Sequence, residues 1–135
     1  IGDGFERSKL EALIAENDLK DHVILDGSKT NPYPYMKYAD LFVHPSYVES
    51  QGLTVLEAMA LGVPCVVTKS RGPCEFIEDG INGLLTEQSP ESLTEKVLSI
   101  LTDKTLFQSI KENTVCPEQF APDRVMKQIE ELIDG

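Results

Sequence analysis

The chain has 135 residues, 41% of them hydrophobic, which suits one domain with a genuine core. Its formal net charge is −11 with a pI near 4.5, and its 12 Lys and Arg are scattered, which argues against nucleic-acid binding and against broad attachment to an anionic membrane. Cys65, Cys74 and Cys116 show neither Cys-x-x-Cys nor Cys/His ligand spacing, so no disulfide framework or zinc site is indicated and a reducing, cytoplasmic compartment fits.

The chain opens on Ile1-Gly2-Asp3-Gly4, which reads like the last residue of a strand followed by a turn, and the expectation is a portion of a longer protein. No apolar run approaches the roughly 20 residues of a membrane span. Phe5 to Asn17 carries Phe5, Leu10, Leu13 and Ile14 at near-helical spacing among charges and predicts an amphipathic surface helix. Val23-Ile24-Leu25, closed by Asp26-Gly27, predicts a short buried strand. Asn31 to Tyr38 predicts a turn into a short helix with its prolines at the entry.

Leu41 to His44 and Cys65 to Thr68 are two further apolar strand candidates, stopped by Pro45 and preceded by Gly62 respectively. Between them Gly52 to Leu61 predicts a helix, and Pro73 opens a short one over Cys74 to Glu78. The turn-rich Asp79-Gly80-Ile81-Asn82-Gly83 leads into a last strand at Leu84-Leu85. Ser89-Pro90 marks a helix start, with Leu93, Val97, Ile100 and Leu101 on its inner face, and further helices are expected over about Thr105 to Asn113 and Pro122 to Ile133. Uniformly apolar strands alternating with helices predict an α/β fold, a Rossmann-like doubly wound parallel sheet covered on both faces. Such folds take ligands beyond the carboxyl ends of their strands, here Asp26-Gly27, Pro45 to Gln51 and Lys69 to Pro73.

The stretch Glu49 to Gly62 concentrates the chemistry. Ser50-Gln51-Gly52-Leu53-Thr54 crosses from loop to helix, where unpaired backbone N–H groups form an anion site; the plainer alternative is a helix start capped by Ser50. Glu57 is the one ionisable side chain in an otherwise apolar helix, and a carboxylate there needs partners. Glu49 and Glu57 are placed to reach different parts of one ligand, and carboxylates suit the vicinal hydroxyls of a ribose or hexose; taken singly, Glu49 reads as a solvated loop charge. His44 ends a strand near the cleft; a hydrogen-bonded structural histidine is the expected reading, with contact to the ligand as the alternative.

The run Phe42-Val43-His44-Pro45-Ser46, with Glu49, Gly52-Leu53-Thr54-Val55-Leu56-Glu57-Ala58-Met59-Ala60, Gly62-Val63-Pro64-Cys65-Val66-Val67 and Glu75-Phe76-Ile77-Glu78-Asp79-Gly80 with Asn82-Gly83, resembles the retaining glycosyltransferases of group 1 (family 4). The resemblance covers nearly the whole chain and implies the C-terminal, donor-binding half of a GT-B fold, in which two Rossmann-like domains face each other. On that basis residues 1–135 are one nucleotide-sugar-binding domain whose first strand and helix lie upstream, and the last helix packs towards an N-terminal domain. The implied function is sugar transfer, without a metal or other cofactor, from a UDP-, GDP- or ADP-sugar to a glycan or lipid-linked acceptor in polysaccharide biosynthesis.

Carried over residue by residue, Glu49 is the catalytic-site glutamate beside the donor sugar, Glu57 holds the nucleotide ribose, and the backbone of Gly52, Leu53 and Thr54 meets the diphosphate. Gly27 is the implied neighbour of the nucleobase. Ser50-Gln51 departs from the Gly and aromatic that many members carry, so donor-sugar preference is expected to differ. Arg71, in a Lys69-Ser70-Arg71-Gly72 loop that replaces a more usual small, Gly-rich one, is a candidate for a donor phosphate, against the plainer reading of a surface arginine. The family's Arg/Lys pair and most of its acceptor site fall outside these residues, so the chain alone is expected to transfer nothing. Peripheral membrane association, at the inner face of the membrane through another domain, stays open. The alternatives are a non-catalytic nucleotide-binding module and a sugar-nucleotide epimerase of related fold.

Overall fold

The computed structural model describes residues 1–115, 117 and 118, so the helix expected over Pro122 to Ile133 lies outside the described residues. The chain divides into two compact units, Ile1–Tyr35 and the remainder from Met36. In the first unit, α1 (Arg7–Glu16) is held by Arg7, whose guanidinium meets Glu11 at 2.9 Å and donates to the Leu25 carbonyl at 3.0 Å. No residue of α1 is buried, and Phe5 precedes the helix and is 97% exposed.

The strand expected at Val23-Ile24-Leu25 is absent. Val23 N–H bonds back to the Leu19 carbonyl in a turn, Arg7 takes the Leu25 carbonyl, and Ile24 is exposed. An apolar run becomes a strand only when a neighbour completes its ladder, and here the Val23 N–H and the Leu25 carbonyl are engaged in other ways.

The second unit holds a three-stranded parallel sheet in the order β1 (Phe42–His44), β2 (Cys65–Thr68), β3 (Leu84–Thr86). A short helix α2 (Tyr33–Lys37) precedes β1. All four residues of the central β2 are buried, as the uniform apolarity of the run predicts for a strand covered on both faces. Successive side chains point to opposite faces, so Cys65 and Val67 join the core under α3 (Leu53–Ala60) while Val66 joins the core under α4 (Pro90–Thr102) and α5 (Lys104–Asn113).

The first core contains Val55, Ala58, Met59, Phe76 and Ile77, and the second contains Leu84, Ile100 and Ile110. Burial pushes the Cys65 thiol up to about 12, so it stays protonated and packs as a small apolar group.

Local chemistry sets the element ends. The Ser89 hydroxyl accepts from Ser92 N–H at 3.1 Å with Pro90 in the first turn of α4, and the Asp103 carboxylate accepts from the N–H groups of Thr105 and Leu106 to open α5. Leu93 and Val97 pack beside Ile100, but Leu101 is 55% exposed, contrary to the sequence expectation. Each helical residue turns the face by about 100°, which carries Leu101 off the stripe centred on Ile100. The short helix expected over Cys74 to Glu78 is a single 3-10 turn, Pro73–Glu75.

Met59, 1% exposed, is the largest fully buried side chain of the core beneath α3. Met59→Ala is expected to cost about 2–5 kcal/mol, read as a lower urea midpoint with an unchanged slope. A cost near zero would show that this core does not support the sheet.

Candidate functional site

The loops that leave the carboxyl ends of β1 and β2 are tied together by main-chain and side-chain bonds. Gly72 N–H donates to the Glu49 carbonyl at 3.1 Å, and the Thr68 hydroxyl donates to the carbonyls of His44 and Ser46. From the end of β3, the Gln88 amide nitrogen donates to the Tyr47 carbonyl at 2.8 Å and the Lys69 carbonyl at 2.9 Å, so one side chain joins both loops.

The two loops come close together at Gly72. A Cβ built there would stand 2.6 Å from the Gln51 carbonyl carbon and 2.8 Å from that of Ser50. The φ of Gly72 is −60°, open to any residue, so the requirement is for space and not for a special backbone conformation.

The start of α3 differs from the plainer sequence alternative, a helix start capped by Ser50. Gly52 is its N-cap residue, at φ 73°, and no side chain of the cap residue bonds the helix, so Ser50 is not the cap. The cap comes from Glu49, whose Oε1 accepts from Gln51 N–H at 3.1 Å and from Gly52 N–H at 2.9 Å. The expected solvated loop charge is a half-buried carboxylate folded onto its own backbone.

Those two bonds, Gly52's first, hold the Glu49 carboxyl below the usual glutamate range, with the nearby His44 acting in the same direction. Gly52 has a packing reason as well as a conformational one, because a Cβ there would meet the Phe76 ring at 2.9 Å.

Beyond Glu49, Val55 N–H makes the first bond back to the Gly52 carbonyl, so the N–H groups of Leu53 and Thr54 stand ahead of the ladder at the positive end of α3. Leu53 and Thr54 are exposed, and Glu57 is half-buried one turn further on, the i+4 neighbour of Leu53. The helix is apolar on one side only: Glu57 lies on its open side, while Val55, Leu56, Ala58 and Met59 fill the core. Glu57 also interacts within the fold.

Ser50 and Gln51 are exposed. Arg71 is 87% exposed, with its Nε 3.9 Å from a Glu75 carboxylate oxygen. Lys69 pairs with Glu87, which holds its ammonium above the usual lysine range. Gly27 lies in the first unit at φ 71°, its carbonyl accepting from Gly2 N–H at 2.8 Å.

Three contributors escaped sequence reasoning: Gln88, Gly72, and the contact of His44 Nε2 with Glu49 Oε2 at 3.4 Å. The last carried a weak signal, a histidine ending a strand five residues before a glutamate.

Two outcomes follow from this geometry. Gly72→Ala must push the loops apart and is expected to cost on the order of 1–3 kcal/mol in urea unfolding, whereas an unaltered midpoint would mean that the contact is slack. For Glu49, a folded pKa below the unfolded one gives stability that is complete above the unfolded value and disappears as pH falls through the folded value. Glu49→Gln is therefore expected to flatten the acid side of a stability-against-pH curve, and a curve parallel to that of the unaltered protein would contradict the capping role.

The described fold matches known proteins. The family model for glycosyl transferases group 1 matches residues 1–115. An uncharacterised glycosyltransferase of Methanocaldococcus jannaschii is 34% identical over 84% of this chain and 33% of its own length. The N-acetyl-alpha-D-glucosaminyl L-malate synthase of Bacillus anthracis is 31% identical over 98% of the chain and 35% of its own length. Among solved structures, Anabaena HepE in complex with UDP superposes with a TM-score of 0.86 at 28% identity, over 98% of this chain and 39% of that one. The chain thus spans about a third of the length of these curated relatives. With 115 of its 135 residues matched, the chain belongs to the glycosyl transferases group 1 family.

Proposed function

We propose that the chain is the nucleotide-sugar-binding part of a larger retaining glycosyltransferase, which moves a sugar from a UDP-, GDP- or ADP-sugar to a glycan or lipid-linked acceptor. One observation carries this reading. At the carboxyl end of a parallel strand, the Glu49-capped start of α3 presents the N–H groups of Leu53 and Thr54 beside Glu57 on one open stripe. The amides suit a diphosphate at the positive end of the helix, Glu57 suits the vicinal hydroxyls of a ribose, and the second oxygen of Glu49 suits a hydroxyl of the donor sugar. The HepE likeness supports a uridine nucleotide among the alternatives.

The chemistry of the site in this reading is electrostatic. Amides fixed before the reaction stabilise the charge that develops on the leaving diphosphate and need no reorganisation as it forms. No metal is required for that role, and the remaining cationic groups and the acceptor site belong to other parts of the protein. Arg71 stays a surface residue at one edge of the site unless a donor phosphate draws it from Glu75. No helix among the described residues is long and apolar enough to cross a membrane. Any membrane contact of the larger enzyme, at the cytoplasmic face, is assigned to its other domain.

A panel of UDP, GDP and ADP titrated into the full-length protein by ligand-observed NMR tests the reading. One nucleotide is expected to bind, and Glu57→Ala is expected to weaken it roughly ten- to hundredfold, the loss of a charge-assisted bond to the ribose. Unchanged affinity in that variant would remove Glu57 from the site, and absence of binding by all three nucleotides would reject the reading.

A further inference from the structure

We propose that His44 is a positioning residue for the sugar-binding carboxylate, fixing the second oxygen of Glu49 so that the site distinguishes a nucleotide sugar from the bare nucleotide. The inference rests on the donor-site reading above. Oε1 of Glu49 is committed to the Gln51 and Gly52 N–H groups, which leaves Oε2 as the oxygen able to meet a ligand. Nε2 of His44 lies 3.4 Å from that oxygen, and the two side chains are 20% and 26% exposed. This nitrogen is buried and has no hydrogen-bond partner among the described residues.

The imidazole has little freedom to seek a partner elsewhere. Its backbone is in register with Val67 in the sheet, and the Thr68 hydroxyl donates to the His44 carbonyl at 3.3 Å. Its ring stacks on Phe42, with centroids 6.2 Å apart and planes 13° from parallel.

A buried polar nitrogen without a partner is costly, and here the Glu49 oxygen 3.4 Å away is in close contact without the alignment of a good hydrogen bond. Hydrogen bonds of a binding site commonly tighten when the ligand is seated. A hexose hydroxyl that draws Oε2 into place lets Nε2–H close on the same oxygen from the protein side, so that the carboxylate is gripped at both oxygens when it accepts from the sugar. The diphosphate and ribose contacts involve Leu53, Thr54 and Glu57 and do not pass through His44.

The test measures dissociation constants for UDP and for UDP-glucose on the full-length protein and on two variants. His44→Phe keeps the stacked ring and removes the nitrogen, and His44→Gln keeps a donor at about the same reach; His44→Ala replaces the first if it does not fold. The expected result is that H44F weakens UDP-glucose about tenfold while UDP changes less than twofold, and that H44Q restores most of the loss. Equal effects of H44F on both ligands, no effect on either, or failure of H44Q to restore the sugar contribution would overturn the role of His44 alone. Failure of the unaltered protein to bind UDP, GDP and ADP alike would instead overturn the donor-site reading, and this inference with it; binding of GDP or ADP in place of UDP moves the same comparison to that nucleotide and its glucose conjugate.

Discussion

A carboxylate folded back onto the backbone that follows it organises this site. Glu49 Oε1 takes the N–H groups of Gln51 and Gly52, and in doing so turns the chain from the end of β1 into α3. A helix start leaves donors that no internal partner satisfies, and an anion at that end is favoured by both hydrogen bonding and the dipole. The same residue carries the tie to the next loop, because its main-chain carbonyl accepts from Gly72 N–H. Donors that remain, at Leu53 and Thr54, are offered outward by a helix whose entry is already secured.

The rest of the second unit serves to hold that entry still. Its central strand is buried on both faces, with α3 over one core and α4 and α5 over the other, so the strand ends are fixed from two sides. Loops at those ends are then joined by Thr68, Gln88 and the close approach of Gly72 to Gln51. A site made of backbone amides depends on such bracing, since a backbone cannot be reoriented by choosing another rotamer. Glu57 follows the same logic: it stands on the open side of a helix whose other side is anchored by Val55 and Met59, so its position is inherited from the core.

The α/β class, the parallel sheet, the sites of β1, β2 and β3 and the proline- and serine-marked start of α4 were legible in the sequence, because each rests on a local pattern of apolar runs and turn chemistry. The candidate site was legible as a stretch, Glu49 to Glu57, and as a family resemblance. Its internal arrangement was not. A glutamate in a loop reads as a solvated charge until the fold shows it capping a helix, and Ser50 reads as the cap until Gly52 is found in that place. Val23 to Leu25 has the composition of a strand and lacks the ladder, since pairing is a property of two segments and composition a property of one.

By itself, then, the sequence determined which residues are apolar at which period, where α4 opens, and which carboxylates stand near a strand's carboxyl end. Those are one-dimensional facts, settled by neighbours a few positions away. Only the tertiary structure decided that Glu49 spends one oxygen on backbone and leaves the other near His44, that Glu57 faces outward from a helix whose core side is apolar, and that Gln88 reaches two loops 41 and 19 residues away in the chain. Those facts depend on distances between segments remote in sequence, and such distances exist only once the sheet has set its register and the two cores have closed over it.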